Sequence, residues 1–223
     1  MDPRLIRNLP VLSEAEQQML SEKHVLVAGC GGLGGFVVEF LVRAGVGKIT
    51  AADPDSFELS NRNRQLLSLE STLHQNKALA AAARAKDINP NVVFHPVETR
   101  LDAETLPELL QTCDLAVDAL DSAADRLTLA EACGAQGLHL VHGAVHGWAA
   151  QTAVVPPGSD LLHRLYSAAA PPADSAVLSP VPAFCAAVQC AEAIRLLCGQ
   201  PSALENKLLI ADLQSMDIST MEF

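Results

Sequence analysis

The sequence predicts an α/β fold: a mostly parallel sheet with helices on both faces, extended by C-terminal antiparallel strands. Three observations predict it. Short apolar runs alternate with helical patterns as far as residue 145. A glycine-rich turn joins the first such run to the first apolar helix, and the tail returns to period-two alternation.

Taken in order, residues 1–22 read as a helical arm with apolar Leu5, Ile6, Leu12 and Leu20 among charges. HVLVAG (24–29) reads as a buried strand, the following CGGLGGFVVEFLVRAG as a turn and helix, and KITAAD (48–53) as a second strand, together a βαβ unit. An Ala-rich helix is expected over 76–88, a strand over 92–97, a helix over 103–112, a strand over 115–120 and a helix over 122–135. Strands over 138–145 and 148–155 meet at a tight turn, His146-Gly147. Residues 156–182 hold six of the chain's 13 prolines and read as a long crossing loop, a length uncommon without a function. A helix over 183–198 ends at Gly199 and Pro201, and KLLIADLQSMDISTMEF gives two closing strands. All 223 residues are read as one domain.

Composition narrows the function. Aromatic residues are 4%, with one Trp and one Tyr, too few for a base-stacking platform. The net charge of −11 opposes binding through a phosphate backbone, so nucleic acid is not the expected partner. No stretch reads as long and apolar enough to span a bilayer, and the N-terminus lacks the apolar core of a signal peptide. The six cysteines form no C-x-x-C pair and read as buried positions in a reducing cytoplasm. His139, His142 and His146 look metal-like at first, but strand alternation puts His139 and His142 on opposite faces. They read as polar strand ends.

The chemistry begins at Gly29-Cys30-Gly31-Gly32-Leu33-Gly34, between a strand and a helix, where backbone N–H groups meet a phosphate. Asp53 ends the next strand, 19 residues after Gly34, where a carboxylate accepts from ribose hydroxyls. A dinucleotide fits this much equally well. Ser60-Asn61-Arg62-Asn63-Arg64-Gln65 and Lys77 then supply cations beyond what a pyrophosphate needs, whereas a triphosphate carries about four negative charges. Asp121, just past the fourth strand, offers a carboxylate for Mg2+.

The series G-C-G-G-L-G, D-P-D-S-F-E-L-S-N-R-N-R-Q, Lys77, I-N-P and D-A-L-D-S resembles the adenylating domain of the ubiquitin-activating superfamily, in its bacterial ThiF/MoeB/HesA branch, from about Arg4 to Gly199. The resemblance implies a Rossmann-like fold and an ATP–Mg2+ enzyme. Its substrate would be the C-terminal glycine carboxylate of a ubiquitin-like sulfur-carrier protein ending in Gly-Gly, in thiamine or molybdenum/tungsten cofactor synthesis. It places the glycine loop on Gly29, Gly31, Gly32 and Gly34, and the ribose carboxylate on Asp53. The phosphate contacts fall on Asn61, Arg64 and Lys77, and the metal ligand on Asp121. It further implies a homodimer in which Arg7, of Arg4-Leu5-Ile6-Arg7, reaches the partner's ATP. The family's zinc cysteines have no counterpart near Leu162–Leu165, so no zinc is expected, and 168–179 lack the cysteine some members use for persulfide transfer. Three other readings stay open: a tRNA-base cyclase of the same superfamily, a non-catalytic nucleotide-binding subunit, and a dinucleotide oxidoreductase.

Overall fold

The computed structural model describes residues 2–167 and 176–223. Its N-terminal arm is two pieces, not one helix: a 3-10 turn over Pro3–Asn8 and helix α1 over Glu14–Glu22. Pro10 cannot donate within a helix, and Ser13 restarts one through a reciprocal capping box with Glu16. Then come β1 (His24–Ala28), α2 (Gly34–Ala44), β2 (Lys48–Ala52), α3 (Lys77–Ile88) and β3 (Val93–Val97). After them stand α4 (Leu106–Leu110), β4 (Leu115–Asp118), α5 (Ala123–Ala135), β5 (Leu140–His146) and β6 (Ala149–Val155). The chain closes with α6 (Leu161–Tyr166), α7 (Pro180–Leu197), β7 (Lys207–Asp212) and β8 (Asp217–Glu222).

The eight strands form one sheet in the order β3-β2-β1-β4-β5-β6-β7-β8. The pairs from β3 through β5 are parallel. Those from β5 through β8 are antiparallel, as the tail's alternation implied. Each face has its own core. Val25, Val27, Val117, Val141 and Val154 point to the layer of α2, α3 and α7. Leu26, Ala28, Ala116, Leu140 and Ala153 point to the layer of α4, α5 and α6. The five parallel strands end on one edge, where Ala28 is paired with Ala52 and Asp118, and Asp118 with His142.

Several boundaries differ from expectation, among them β5, which runs Leu140–His146 and takes in His146. Helix α4 is shorter than 103–112, because Asp102 accepts from the N–H groups of Glu104 and Thr105 and Pro107 sits in its first turn. Strand β4 stops at Asp118, whose Oδ1 accepts from Leu120 N–H and bends the chain out of the sheet. The crossing segment 156–182 contains α6, and α7 starts already at Pro180, a residue favoured in a first helical turn; its residues 168–175 lie outside the described ones. Helix α7 is, by length and composition, apolar enough to cross a membrane, contrary to the expectation that no stretch is. It packs instead on α2, β5 and β6, so its apolar surface is core.

All six cysteines are free and buried, and burial pushes the thiols of Cys113, Cys133 and Cys185 up to about 12. None of these three supplies a thiolate at neutral pH.

A Cβ on Gly34 would stand 1.8 Å from the carbonyl oxygen of Gly29, so α2 leaves β1 only a hydrogen's width there. We expect Gly34→Ala to cost about 3 kcal/mol in urea unfolding, through overpacking. Gly134, in α5, meets nothing nearer than 3.7 Å. Gly134→Ala should stabilise by about 0.5–1 kcal/mol through helix propensity.

Candidate functional site

A cavity of about 920 Å³ opens along the edge where the parallel strands end. That edge is where open α/β sheets bind ligands. Gly29, Gly31, Gly32 and Leu33 line it, so the N-terminus of α2 faces in with its unpaired backbone donors. Gly29 has φ +96°, and a Cβ there would meet the carbonyl oxygen of Ala119 at 2.6 Å, so only glycine closes the turn. Gly34 lies behind the cavity and serves packing.

Asp53 is buried at the end of β2. Its Oδ2 accepts from Cys30 N–H at 2.8 Å and its Oδ1 from Asp55 N–H at 2.9 Å. Burial pushes its carboxyl up, against those two donors and the nearby Lys77 ammonium, which pull it down. Asn76 caps α3 by accepting from the N–H groups of Ala78 and Leu79, while its Nδ2 donates to the carbonyls of Asp53 and Asp55. This fixes Lys77 at the first turn of α3, buried, with Nζ 3.0 Å from Asp55 and 3.9 Å from Asp53.

The 60–65 segment divides its residues. Arg64 faces the cavity, its Nη1 held by the Ser60 carbonyl and Asn63 Oδ1. Gln65 lines it from below, buried, with Oε1 unpartnered among the described residues. Arg62 pairs with Glu70 on the surface. Asn61 does not line the cavity: its Oδ1 accepts from Glu58 N–H and caps a local 3-10 turn. Its spacing is that of the motif, but the structure places it in the loop's own scaffold. Arg7 is exposed on the N-terminal turn and also lies outside the cavity lining.

Asp121 lines the cavity with an exposed side chain, while its neighbour Asp125 is held by Arg100 at 2.7 Å. Among the described residues no group of three His, Cys, Asp or Glu converges. A lone carboxylate fits Mg2+, which takes one or two protein ligands and completes its shell with phosphate oxygens and water.

A second polar cluster, unseen in the sequence, lies at the other end. Asp118 and His142 are fully buried on adjacent strands, with Nδ1 2.7 Å from Oδ2. His142 is therefore a mid-strand residue of β5, not a polar strand end. Its Nε2 is 3.2 Å from Tyr166 Oη and 3.3 Å from Gln151 Nε2. Arg126, from α5, donates to Tyr166 Oη and to the Leu120 carbonyl. Burial holds His142 below the usual histidine range, against the pull of the Asp118 carboxylate, and raises Tyr166.

Comparison with known proteins places this geometry. A model described as "ThiF family" matches residues 4–223. The SAMP-activating enzyme E1 of Haloferax volcanii is 32% identical over 216 residues, covering 94% of this chain and 80% of that protein. The sulfur carrier protein adenylyltransferase of Thermus thermophilus is 33% identical over 218 residues, covering 92% and 80%. Escherichia coli MccB, solved with ATP, superposes with a TM-score of 0.83 at 22% identity, over 100% of this chain and 71% of that one, and shares the fold.

The buried histidine has a measurable consequence. In the unfolded chain His142 titrates near 6.5, and in the native state lower, so below about pH 6.5 the unfolded state binds a proton that the native state refuses. Stability falls as pH drops through that range. His24, also depressed chiefly by burial, acts in the same sense. We expect the pH 7.5 to 5.5 loss in urea unfolding to shrink by up to about 1.4 kcal/mol per pH unit in His142→Asn.

Proposed function

Since the chain belongs to the ThiF family, we propose that it is an ATP–Mg2+-dependent adenylyltransferase that activates the C-terminal glycine carboxylate of a ubiquitin-like sulfur-carrier protein and releases pyrophosphate. Thiamine or molybdenum/tungsten cofactor synthesis is the setting this reading gives it. The observation that carries it is the division of one cavity. Gly31, Gly32, Asp53, Arg64 and Lys77 gather at one end. Ala144, Ala149 and Ile210, small or apolar and on one face of the sheet, form a trough at the other, with Val145 and Ala150 on the opposite face of the same edge.

The first end suits a nucleoside triphosphate. Asp53 is turned by two backbone donors so that its remaining lone pairs accept from ribose hydroxyls. Lys77 holds an exposed carboxylate, Asp55, which triphosphate oxygens displace at little cost because that carboxylate returns to water. Arg64 is braced at one nitrogen and presents the rest of its guanidinium. Bound through Asp121, Mg2+ would neutralise charge on the departing pyrophosphate. The attacking carboxylate is already ionised, so the step needs neither a protein nucleophile nor a general base. The site's work is alignment and charge neutralisation. Among the described residues no cysteine lines the cavity, His142 is buried behind it, and the histidine that does line it, His146, stands exposed at the end of β5.

Arg7 is exposed and is not among the residues lining its own cavity, which accords with a homodimer in which it serves the neighbouring site. Six free, buried thiols support a reducing, cytoplasmic setting. A tRNA base is the poorer substrate for a chain of net charge −11. The intact set Asp53, Arg64, Lys77 and Asp121 weighs against a vestigial subunit. Cations for a triphosphate weigh against a dinucleotide oxidoreductase.

The test is ATP–pyrophosphate exchange with Mg2+, with and without carriers ending in Gly-Gly. Carrier-dependent exchange is expected, and its absence despite ATP binding overturns the reading. Asp121→Ala should lower exchange by about 10²–10³-fold while ATP still raises Tm. For the dimer, Arg7→Ala mixed with Lys77→Ala should regain exchange in verified hybrid dimers; no regain places both residues in one subunit's site.

A further inference from the structure

The cluster around His142 can be assigned proton by proton. Arg126 is a donor only, and its Nη1 is 3.0 Å from Tyr166 Oη. Asp118 is fully buried and its Oδ2 is 2.7 Å from His142 Nδ1, which fixes the proton on Nδ1. His142 Nε2 is then an acceptor. It must be met by donors, and two groups reach it, Tyr166 Oη at 3.2 Å and Gln151 at 3.3 Å. Tyr166 Oη accepts from Arg126 and from Gln151 Nε2, the latter at 2.9 Å, and gives its own proton to Nε2. Every lone pair and proton of that hydroxyl is used.

This determines the Gln151 amide. Turned the other way, its Oε1 would face the lone pair of Nε2 at 3.3 Å, two acceptors together. With Nε2 inward, one amide proton goes to Tyr166 Oη, the other lies beside His142 Nε2, whose single lone pair the Tyr166 proton fills, and Oε1 points away from the network toward the cavity that Gln151 lines. Oε1 has no partner among the described residues. Around it the trough offers Ala144, Ala149 and Ile210 side chains. Gln151 is paired in register with Ala144 and Ile210, so its acceptor stands in the middle of the apolar end.

A glycine tail lying in that trough presents no side chains, and its backbone N–H groups lose water there. From this placement, and resting on the adenylation reading above, we propose that Gln151 is a specificity-determining residue: its Oε1 accepts a backbone N–H of the carrier's glycine tail. Asp118, His142 and Tyr166 are positioning residues that turn it toward the tail. Arg126 braces the hydroxyl from α5, its Nε ion-paired to Asp118 Oδ2 at 3.6 Å.

The experiment uses the full-length protein and the carrier that supports exchange. That carrier is prepared by semisynthesis with each of its last three amides replaced, one at a time, by an ester, which keeps the carboxylate but removes one N–H. In the wild-type protein one ester should raise the carrier KM about tenfold with kcat and the ATP KM unchanged. In Gln151→Leu that same ester should change KM by less than twofold, because the acceptor is gone. Tyr166→Phe, which frees the amide to turn, should reduce the ester penalty while leaving ATP protection intact, and stands in if Gln151→Leu does not fold. Equal ester penalties in wild type and variant, or no penalty for any ester in the wild type, overturn the assignment while adenylation stands. No exchange with any all-amide carrier overturns the adenylation reading itself, and the tail assignment with it.

Discussion

The site depends on one buried carboxylate. Asp53 closes the glycine turn by accepting from Cys30 N–H and closes the segment after β2 by accepting from Asp55 N–H. Removing a carboxylate from water is costly, and here two backbone donors and a buried ammonium offset the cost. That closure also places the start of α3. The carbonyls of Asp53 and Asp55 receive the Asn76 amide, Asn76 caps α3, and the cap sets Lys77 where Asp53 needs a counter-charge. The carboxylate proposed to take the ribose thus also builds the walls around it.

The antiparallel extension gives the cavity its second half. Because β6 runs back from the turn at Gly147, its first residues, Ala149 to Gln151, stand beside the last residues of β5 on the ligand edge. A parallel strand there would have needed a crossover and would have brought a helix start instead. One edge therefore presents a helix N-terminus with cations and, some strands away, a nearly uncharged sheet surface. Segment 177–182 borders both, and Asn63 Nδ2 ties it to the phosphate loop through the Val177 carbonyl. A peptide tail and a triphosphate can meet there without sharing ligands, which suits a reaction whose main demand is alignment.

The features legible in the sequence are those that depend on neighbours in the chain. Gly29, Gly31, Gly32 and Asp53 belong to one βαβ unit and Lys77 opens the next helix, so spacing alone brought them to the cavity, while Gly34 serves packing behind it. Arg64 and Asp121 followed from their positions beyond strand ends. Asn61 shows the limit of spacing, since a motif amide can be spent on its own loop. Arg100, which holds Asp125 beside Asp121, was missed because it comes after β3, a strand with no motif of its own. The Asp118–His142–Tyr166 chain was illegible for a different reason. It needs the register of β4 against β5, the return of β6 and the docking of α6, none of which local periodicity specifies. The one signal was a histidine on the buried face of an apolar strand, and burial of such a group calls for partners from elsewhere.

Those partners explain why the buried histidine belongs to recognition and not to proton transfer. A general base must reach the proton it takes. His142 has both nitrogens engaged and is fully buried, and burial keeps it neutral where a free imidazole would titrate. Tyr166 is equally committed, its proton directed inward and its ionisation pushed away from neutrality. Neither group has a lone pair or proton to offer a substrate. The cluster offers rigidity instead: a sequence of fixed donors and acceptors ending at one amide whose oxygen is turned outward. Rigidity of that kind is worth little to a reaction limited by proton movement. In a site that works by holding two ionised reactants in line, it decides which chain is held.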